Sequence, residues 1–154
     1  MSACIQAAML VPGTGNGEPI ALAEPLSFWG GLDAASGIVI DRWHPQHGTC
    51  LSGRVLLMRS GRGSSSGSSV LAEAIRRGTG PAAIVLAERD AIIAVGAMVA
   101  RELYGSECPV VVVLPAELEA LAKTGWALRV FAGEDGRAVI EERKAGGDEA
   151  PRRP

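Results

Sequence analysis

Aromatic side chains are scarce in this sequence: three Trp, one Tyr and two Phe among 154 residues. A core must then rest on close approach of Val, Ile, Leu and Ala, and a flat partner surface built of aromatics is not expected. Cysteine is equally sparse. Cys4, Cys50 and Cys108 are odd in number, at spacings that match neither Cys-x-x-Cys nor a secreted disulfide framework, so reduced thiols are expected. Positive charge is not in excess either: 15 Lys and Arg stand against 17 Asp and Glu, a formal net charge of -2, which leaves no electrostatic footprint for nucleic acid. Long hydrophobic runs are missing. The longest apolar stretch, Ala91 to Ala100, is about half of what spans a bilayer, and residues 1–11 lack the basic start of a signal peptide. A soluble, cytoplasmic protein is expected, with neither a nucleic acid nor a membrane as partner.

A chain of this length is the size of one ordinary domain and can bury roughly 70% of its unfolded surface without disulfides or metal. With 47% hydrophobic and 21% charged residues, the bulk is not disordered. Gly (20) and Pro (9) are frequent enough to separate many short elements by tight turns.

Residues 4–11 and 19–22 read as two short strands around the Gly-rich turn Pro12 to Gly17, a hairpin by its punctuation. Gly37 to Asp41 is a β-branched run. Arg54 to Met58 and Ala82 to Ala87 are apolar without alternation, as expected of strands covered on both faces. Between them lie a Gly/Ser loop and an apolar-periodic helix that Gly78 ends, so the unit is strand, helix, parallel strand. Asp90 to Leu103 fits a second helix, packed through Ala94, Gly96 and Ala97. Pro109 to Leu114 is the next strand. Pro115 opens a third helix, with acids in its first turn where the macrodipole favours them. Trp126 to Phe131 and Arg137 to Ile140 form a terminal hairpin. Residues 141–154 are charged, without periodicity, and expected to be a disordered tail.

The chemistry concentrates in Gly61 to Ser69. A loop of small residues between a strand end and a helix start turns unpaired N–H groups toward an incoming anion, and the helix dipole adds favourable potential. Ser64, Ser65, Ser66, Ser68 and Ser69 add hydroxyls, and Arg62 adds a permanent cation. The plainer alternative is a turn with an N-cap serine, which accounts for one serine or two. A Walker loop is excluded, since there is no lysine and no glycine pair at its spacing. A dinucleotide fingerprint is closer: Gly61-x-Gly63-x3-Gly67 follows a strand and opens a helix, and Glu88 ends the next strand where a ribose-binding acid belongs, but the last glycine is one residue late.

His44-x2-His47-x2-Cys50 carries metal-ligand atoms at short spacing but lacks a fourth ligand, and Pro45 and Gly48 make it primarily a turn. Gly30-Gly31 with Asp33 and Asp41 reads either as turn punctuation or as part of a site.

Taken together, Leu26-Ser-Phe-Trp-Gly-Gly-Leu-Asp33, Gly37-Ile-Val-Ile-Asp41, His44-Pro-x-His-Gly48, Gly61-Arg-Gly-Ser-Ser-Ser-Gly-Ser68, Gly80-Pro-Ala-Ala-Ile84, Gly96-Ala and Pro109-Val-Val-Val112 resemble the small subunit of the aconitase X family. The resemblance covers about residues 3–140. It implies an α/β fold, the swivelling β/β/α domain over residues 1–140, with a partly parallel sheet and flanking hairpins. It also implies a large subunit, fused or separate, that holds an iron-sulfur cluster or iron, with no metal held by this chain alone. Members dehydrate hydroxy-acids: bacterial ones resemble cis-3-hydroxy-L-proline dehydratases, archaeal ones phosphomevalonate dehydratases. By the same resemblance Ser64 matches the proton-transferring serine of aconitase-type swivel domains, with Arg62, Gly63, Ser65 and Ser66 on the substrate. Ordinary aconitases follow the serine pair with an arginine. Here Ser66-Gly67 stands instead, which speaks against citrate and leaves Arg62 or a partner residue to hold the carboxylate. The reading from a different class is a non-catalytic anion- or nucleotide-binding regulatory module.

Overall fold

The computed structural model describes residues 4–143. In chain order the elements are β1 (Cys4–Val11), β2 (Gly13–Gly17), β3 (Pro19–Ala21), the single irregular turn α1 (Phe28–Gly31), β4 (Leu32–Asp33), β5 (Ile38–Val39) and β6 (Val55–Met58). There follow α2 (Gly67–Arg77), β7 (Ala83–Leu86), α3 (Ala91–Tyr104), β8 (Val110–Val112), α4 (Pro115–Ala122), β9 (Ala127–Ala132) and β10 (Arg137–Arg143).

One eight-stranded mixed sheet runs in the order β2-β9-β10-β1-β8-β7-β6-β3. Strands β8, β7, β6 and β3 are mutually parallel, and β1, β10, β9 and β2 join antiparallel. Strands β6 and β7 are wholly buried because each face meets a different core. Leu56, Met58, Ile84 and Leu86 join Leu71, Ile75, Ile93 and Ala97 of α2 and α3. Val55, Leu57, Ala83 and Val85 join Leu121 of α4 and Leu128, Val130 and Ile140 of the antiparallel half. The parallel strands are thus the middle of three layers, with α2 and α3 on one side and the curled-over strands, joined by α4, on the other. This is the β/β/α arrangement, and it explains why these strands are apolar without alternation.

Local signals mark the helix ends well. Asp90 caps α3, its Oδ1 accepting from the N–H groups of Ile92 and Ile93 at 3.0 Å each. Gly78 and Gly105 close α2 and α3 in the left-handed conformation. Helices α2 and α3 pack closely at Gly96, where a methyl group would meet the Leu71 Cβ at 3.2 Å and the Ser68 carbonyl oxygen at 2.7 Å.

The N-terminal hairpin expected from punctuation does not form. The Gly-rich segment is itself strand β2 and pairs with β9, while Pro19–Ala21 lies parallel to β6 at the opposite edge. The reason is close approach: a Cβ at Gly15 would overlap the Ala82 carbonyl oxygen, and one at Gly17 that of Gly53. Glycine lets the curled edge of the sheet press against the chain entering β6 and β7. The expected tail starting at 141 also needs correction, because β10 continues through Glu141, Glu142 and Arg143, paired with β9. The rest of that tail lies outside the described residues.

Candidate functional site

The loops following β3, β6 and β7 converge at one end of the parallel sheet, the carboxyl end, where open α/β sheets characteristically bind ligands. The Leu26 and Gly61 backbones bridge there in parallel register, and Arg62 N–H donates to the Leu26 carbonyl at 3.2 Å. Ala87 and Glu88 N–H groups both donate to the Arg59 carbonyl at 3.0 Å. These loops enclose a cleft of about 200 Å³ lined by Leu26, Phe28, Gly61 to Ser64, Gly67, Asp90, Ile92 and Ile93.

Two glycines shape its floor. Gly63 has φ +95°, a left-handed conformation, and a Cβ there would collide with the Ser27 hydroxyl. A Cβ at Gly61 would stand 2.8 Å from Ile93 Cδ1 and 2.9 Å from the Asp90 carboxylate.

Ser64, Gly63 and Arg62 all line the cleft. The Ser64 Oγ accepts the N–H of Ser66 at 3.1 Å, a bond that favours developing negative charge on that oxygen. Ser65 and Ser66 contribute differently. Their carbonyls accept the hydroxyls of Ser68 and Ser69, both at 2.8 Å, and Ser66 precedes α2 without a side-chain cap bond. These hydroxyl-to-carbonyl bonds order the chain behind Ser64 rather than fill the cleft. The Arg62 guanidinium is half-exposed, 3.7 Å from Asp41, whose other oxygen accepts the Trp43 N–H at 2.9 Å. Asp41 therefore belongs to the rim of the site. Asp33 does not. It holds its own turn, accepting from Ala35 N–H and the Ser36 hydroxyl, and these bonds lower its pKa below the usual carboxylate range.

The motif His44-x2-His47-x2-Cys50 does not converge. His44 is buried with both ring nitrogens engaged: Nε2 lies 3.0 Å from the Glu24 carbonyl and Nδ1 3.1 Å from the Gln46 N–H. His47 and Cys50 are exposed. Glu88, the candidate ribose ligand, is paired with Arg59 at 3.1 Å. Among the described residues no three His, Cys, Asp or Glu side chains converge as metal ligands. The donors of the described residues therefore do not fit an iron-sulfur cluster.

The few aromatics contribute little to the core, which rests on aliphatic side chains as expected. Trp43 is 92% exposed and Trp29 59% exposed, and Tyr104 and Phe131 are exposed as well, so most of the few aromatics lie on the surface. The Trp29 backbone nitrogen lies 3.6 Å from the Cβ position of Gly67, and the Trp43 N–H donates to Asp41 at the rim. Leu26, Phe28, Asp90, Ile92 and Ile93 are lining residues that the sequence reading did not single out as site residues. The signal was there only for Asp90, as a helix cap.

A family model for the aconitase X swivel domain matches residues 4–139. The chain belongs to the aconitase X swivel-domain family. The cis-3-hydroxy-L-proline dehydratase of Pseudomonas aeruginosa is 49% identical to this swivel domain over 118 residues, 77% of the chain and 20% of that protein. This chain thus spans about a fifth of that relative's length. The phosphomevalonate dehydratase small subunit of Methanothermobacter thermautotrophicus is 46% identical over 88 residues, 57% of this chain and 67% of that subunit. The holo-form crystal structure of Thermococcus kodakaraensis aconitase X superposes with a TM-score of 0.74 at 30% identity, covering 90% of this chain and 98% of that one. A solution structure of a UPF0107 protein gives a TM-score of 0.77, again at 30% identity, with 92% and 100% covered. Among the described residues, no helix is long and apolar enough to cross a membrane.

Proposed function

We propose that this swivel domain is the serine-bearing part of a two-part, iron-dependent hydro-lyase that dehydrates a hydroxy-acid, cis-3-hydroxy-L-proline above all, with Ser64 as proton acceptor. The observation that carries the reading is Ser64 and Arg62 side by side in a glycine-floored cleft at the carboxyl end of the sheet, in a chain 49% identical to a dehydratase of that substrate.

Dehydration moves the proton on the carbon next to the carboxylate to the Ser64 oxygen. Its C–H electron pair becomes the new double bond as the C–O bond to the neighbouring hydroxyl breaks, giving a pyrroline carboxylate; the departing hydroxide takes up a proton from solvent and leaves as water, and Ser64 returns its proton to solvent. The Arg62 cation holds the substrate carboxylate, exchanging its long contact with Asp41 for a closer one. Ser65 and Ser66 support Ser64, the Ser66 N–H donating to its Oγ, and the Ser65 N–H reaches the substrate. A serine is a weak base at neutral pH unless its anion is met by oriented donors in a water-poor site. Ser64 has the Ser66 N–H as donor but is exposed in this chain. A second protein part must therefore cover it. That part, a large subunit or a fused domain, would hold the iron-sulfur cluster or iron that assists departure of the hydroxyl, since the described residues of this chain do not fit one. Trp29 and Trp43, exposed on segments whose backbones adjoin Gly67 and Asp41, are the side chains best suited to meet it.

Phosphomevalonate is the second substrate to consider, because small subunits acting on it are up to 47% identical to this chain over shorter spans. The test is a substrate panel on the swivel domain assembled with its partner. Turnover of cis-3-hydroxy-L-proline in the assembly and none by the swivel domain alone is expected. Turnover by the swivel domain alone, or of neither substrate by the assembly, would overturn the reading.

A further inference from the structure

We propose that Asp90 is a positioning residue, its carboxylate tying the serine loop to the α3 N-terminus so that Ser64 is held in register with the cleft. Three observations converge. First, helix capping uses only one of its oxygens: Oδ1 accepts from both Ile92 and Ile93. Second, Oδ2 accepts the N–H of Gly61 at 3.0 Å, linking backbones 29 residues apart. Third, Gly61 is the residue on which the catalytic segment pivots, with Arg62, Gly63 and Ser64 following it and Leu26 bridged beside it. The Gly61 Cβ position lies against Ile93 and Asp90, so the loop root is also sterically seated on α3.

A carboxyl group suits this place, because all three partners are donors and both of its oxygens accept. An amide cannot replace it. Asn presents its NH2 either to the Gly61 N–H or to the two helix amides, and one connection is lost in each orientation. Ser keeps a hydroxyl that caps α3 but is too short to reach Gly61 as well.

This inference rests on the functional reading above, and the experiment separates the two. In Asp90→Ser, with Asp90→Asn as the second variant, amide hydrogen exchange of Gly61, Ile92 and Ile93 is measured in the swivel domain with its full chain. The kcat and KM are measured in the assembled enzyme. The expected result for Asp90→Ser is faster exchange at Gly61 with Ile92 and Ile93 still protected, and kcat lower by about 10- to 100-fold with KM little changed, as loss of register in a reacting group produces. Unchanged exchange at Gly61 in both variants would overturn the tether. Accelerated exchange with kcat within about twofold of the parent would overturn the positioning role. Full turnover in Ser64→Ala would instead overturn the functional reading, and the catalytic part of this proposal with it, whatever Gly61 does.

Discussion

The backbone of Gly15 lies directly against the carbonyl of Ala82, with no room for a side chain between them. This contact joins β2, at the far edge of the sheet, to the entrance of β7, and it closes the curl that buries Val85, Val130 and Ile140. It sits at the opposite end of the parallel strands from the serine loop. The architecture therefore separates a rigid closure from an open cleft.

Gly15→Ala should destabilise the domain by about 1–3 kcal/mol or more, because the added methyl must push back main chain rather than a flexible side chain. Gly125→Ala meets open space and should stay within about 0.5 kcal/mol. Urea denaturation of both variants checks the contrast. Equal stability of the two would show that the β2 edge is not seated on Ala82.

Ser64→Ala should lower dehydratase turnover of the assembled enzyme by about a hundredfold or more while leaving the fold intact. The Ser66 N–H loses its acceptor, at a cost of about 0.5–1.5 kcal/mol. Ser69→Ala removes a hydroxyl bonded only to the Ser66 carbonyl among the described contacts and serves as the control. Steady-state kinetics and circular dichroism on both decide the matter. Retention of more than about a tenth of the activity in Ser64→Ala argues against its role as base.

Trp29→Ala and Trp43→Ala should each weaken association with the large partner by about tenfold or more, as truncated aromatic anchors at interfaces do. Neither should unfold the domain, given their exposure. Titration by fluorescence gives a second reading: tryptophan emission should shift to the blue on assembly. Wild-type affinity in the double variant would place the interface elsewhere.

The thiols should react unequally. Cys4 and Cys50 are exposed and Cys108 is buried, with burial pushing the Cys108 thiol up to about 12 from 9.0. Hydrogen bonds from Ser52 hold the Cys50 thiol below its ordinary value. A thiol reagent at mild alkaline pH should label Cys4 and Cys50 in the native protein and reach Cys108 only in denaturant. A stability consequence follows with a definite sign. The native state keeps the Cys108 proton while the unfolded chain releases it near pH 9, so this contribution is complete below about 9 and is lost as pH rises toward 12. The alkaline limb of a stability profile should accordingly flatten in Cys108→Ala.

Much of the fold was legible from residue order alone. The apolar runs ending at Met58 and Ala87 announced strands buried on both faces and Pro109 to Leu114 a further strand, and Gly78, Asp90 and Pro115 marked helix ends through local backbone chemistry. The loop from Gly61 to Ser69 stood out by composition, with Arg62 within it, and the family resemblance singled out Ser64. What the order of residues could not reveal is whatever depends on chain segments far apart. Gly13, Gly15 and Gly17 have no side chains and so no periodicity, and their segment reads as a turn until Ala82 and Gly53 are seen pressing on it. His44 looks like a ligand until Glu24, 20 residues earlier, is found on its ring nitrogen. Asp90 stands in the sequence only as the first residue of a helix, because its bond to Gly61 exists only once β6 and β7 lie side by side. Local dihedral preference and hydrophobic pattern are written in short windows of sequence, whereas strand pairing and backbone approach are settled by which distant surfaces can pack without a clash.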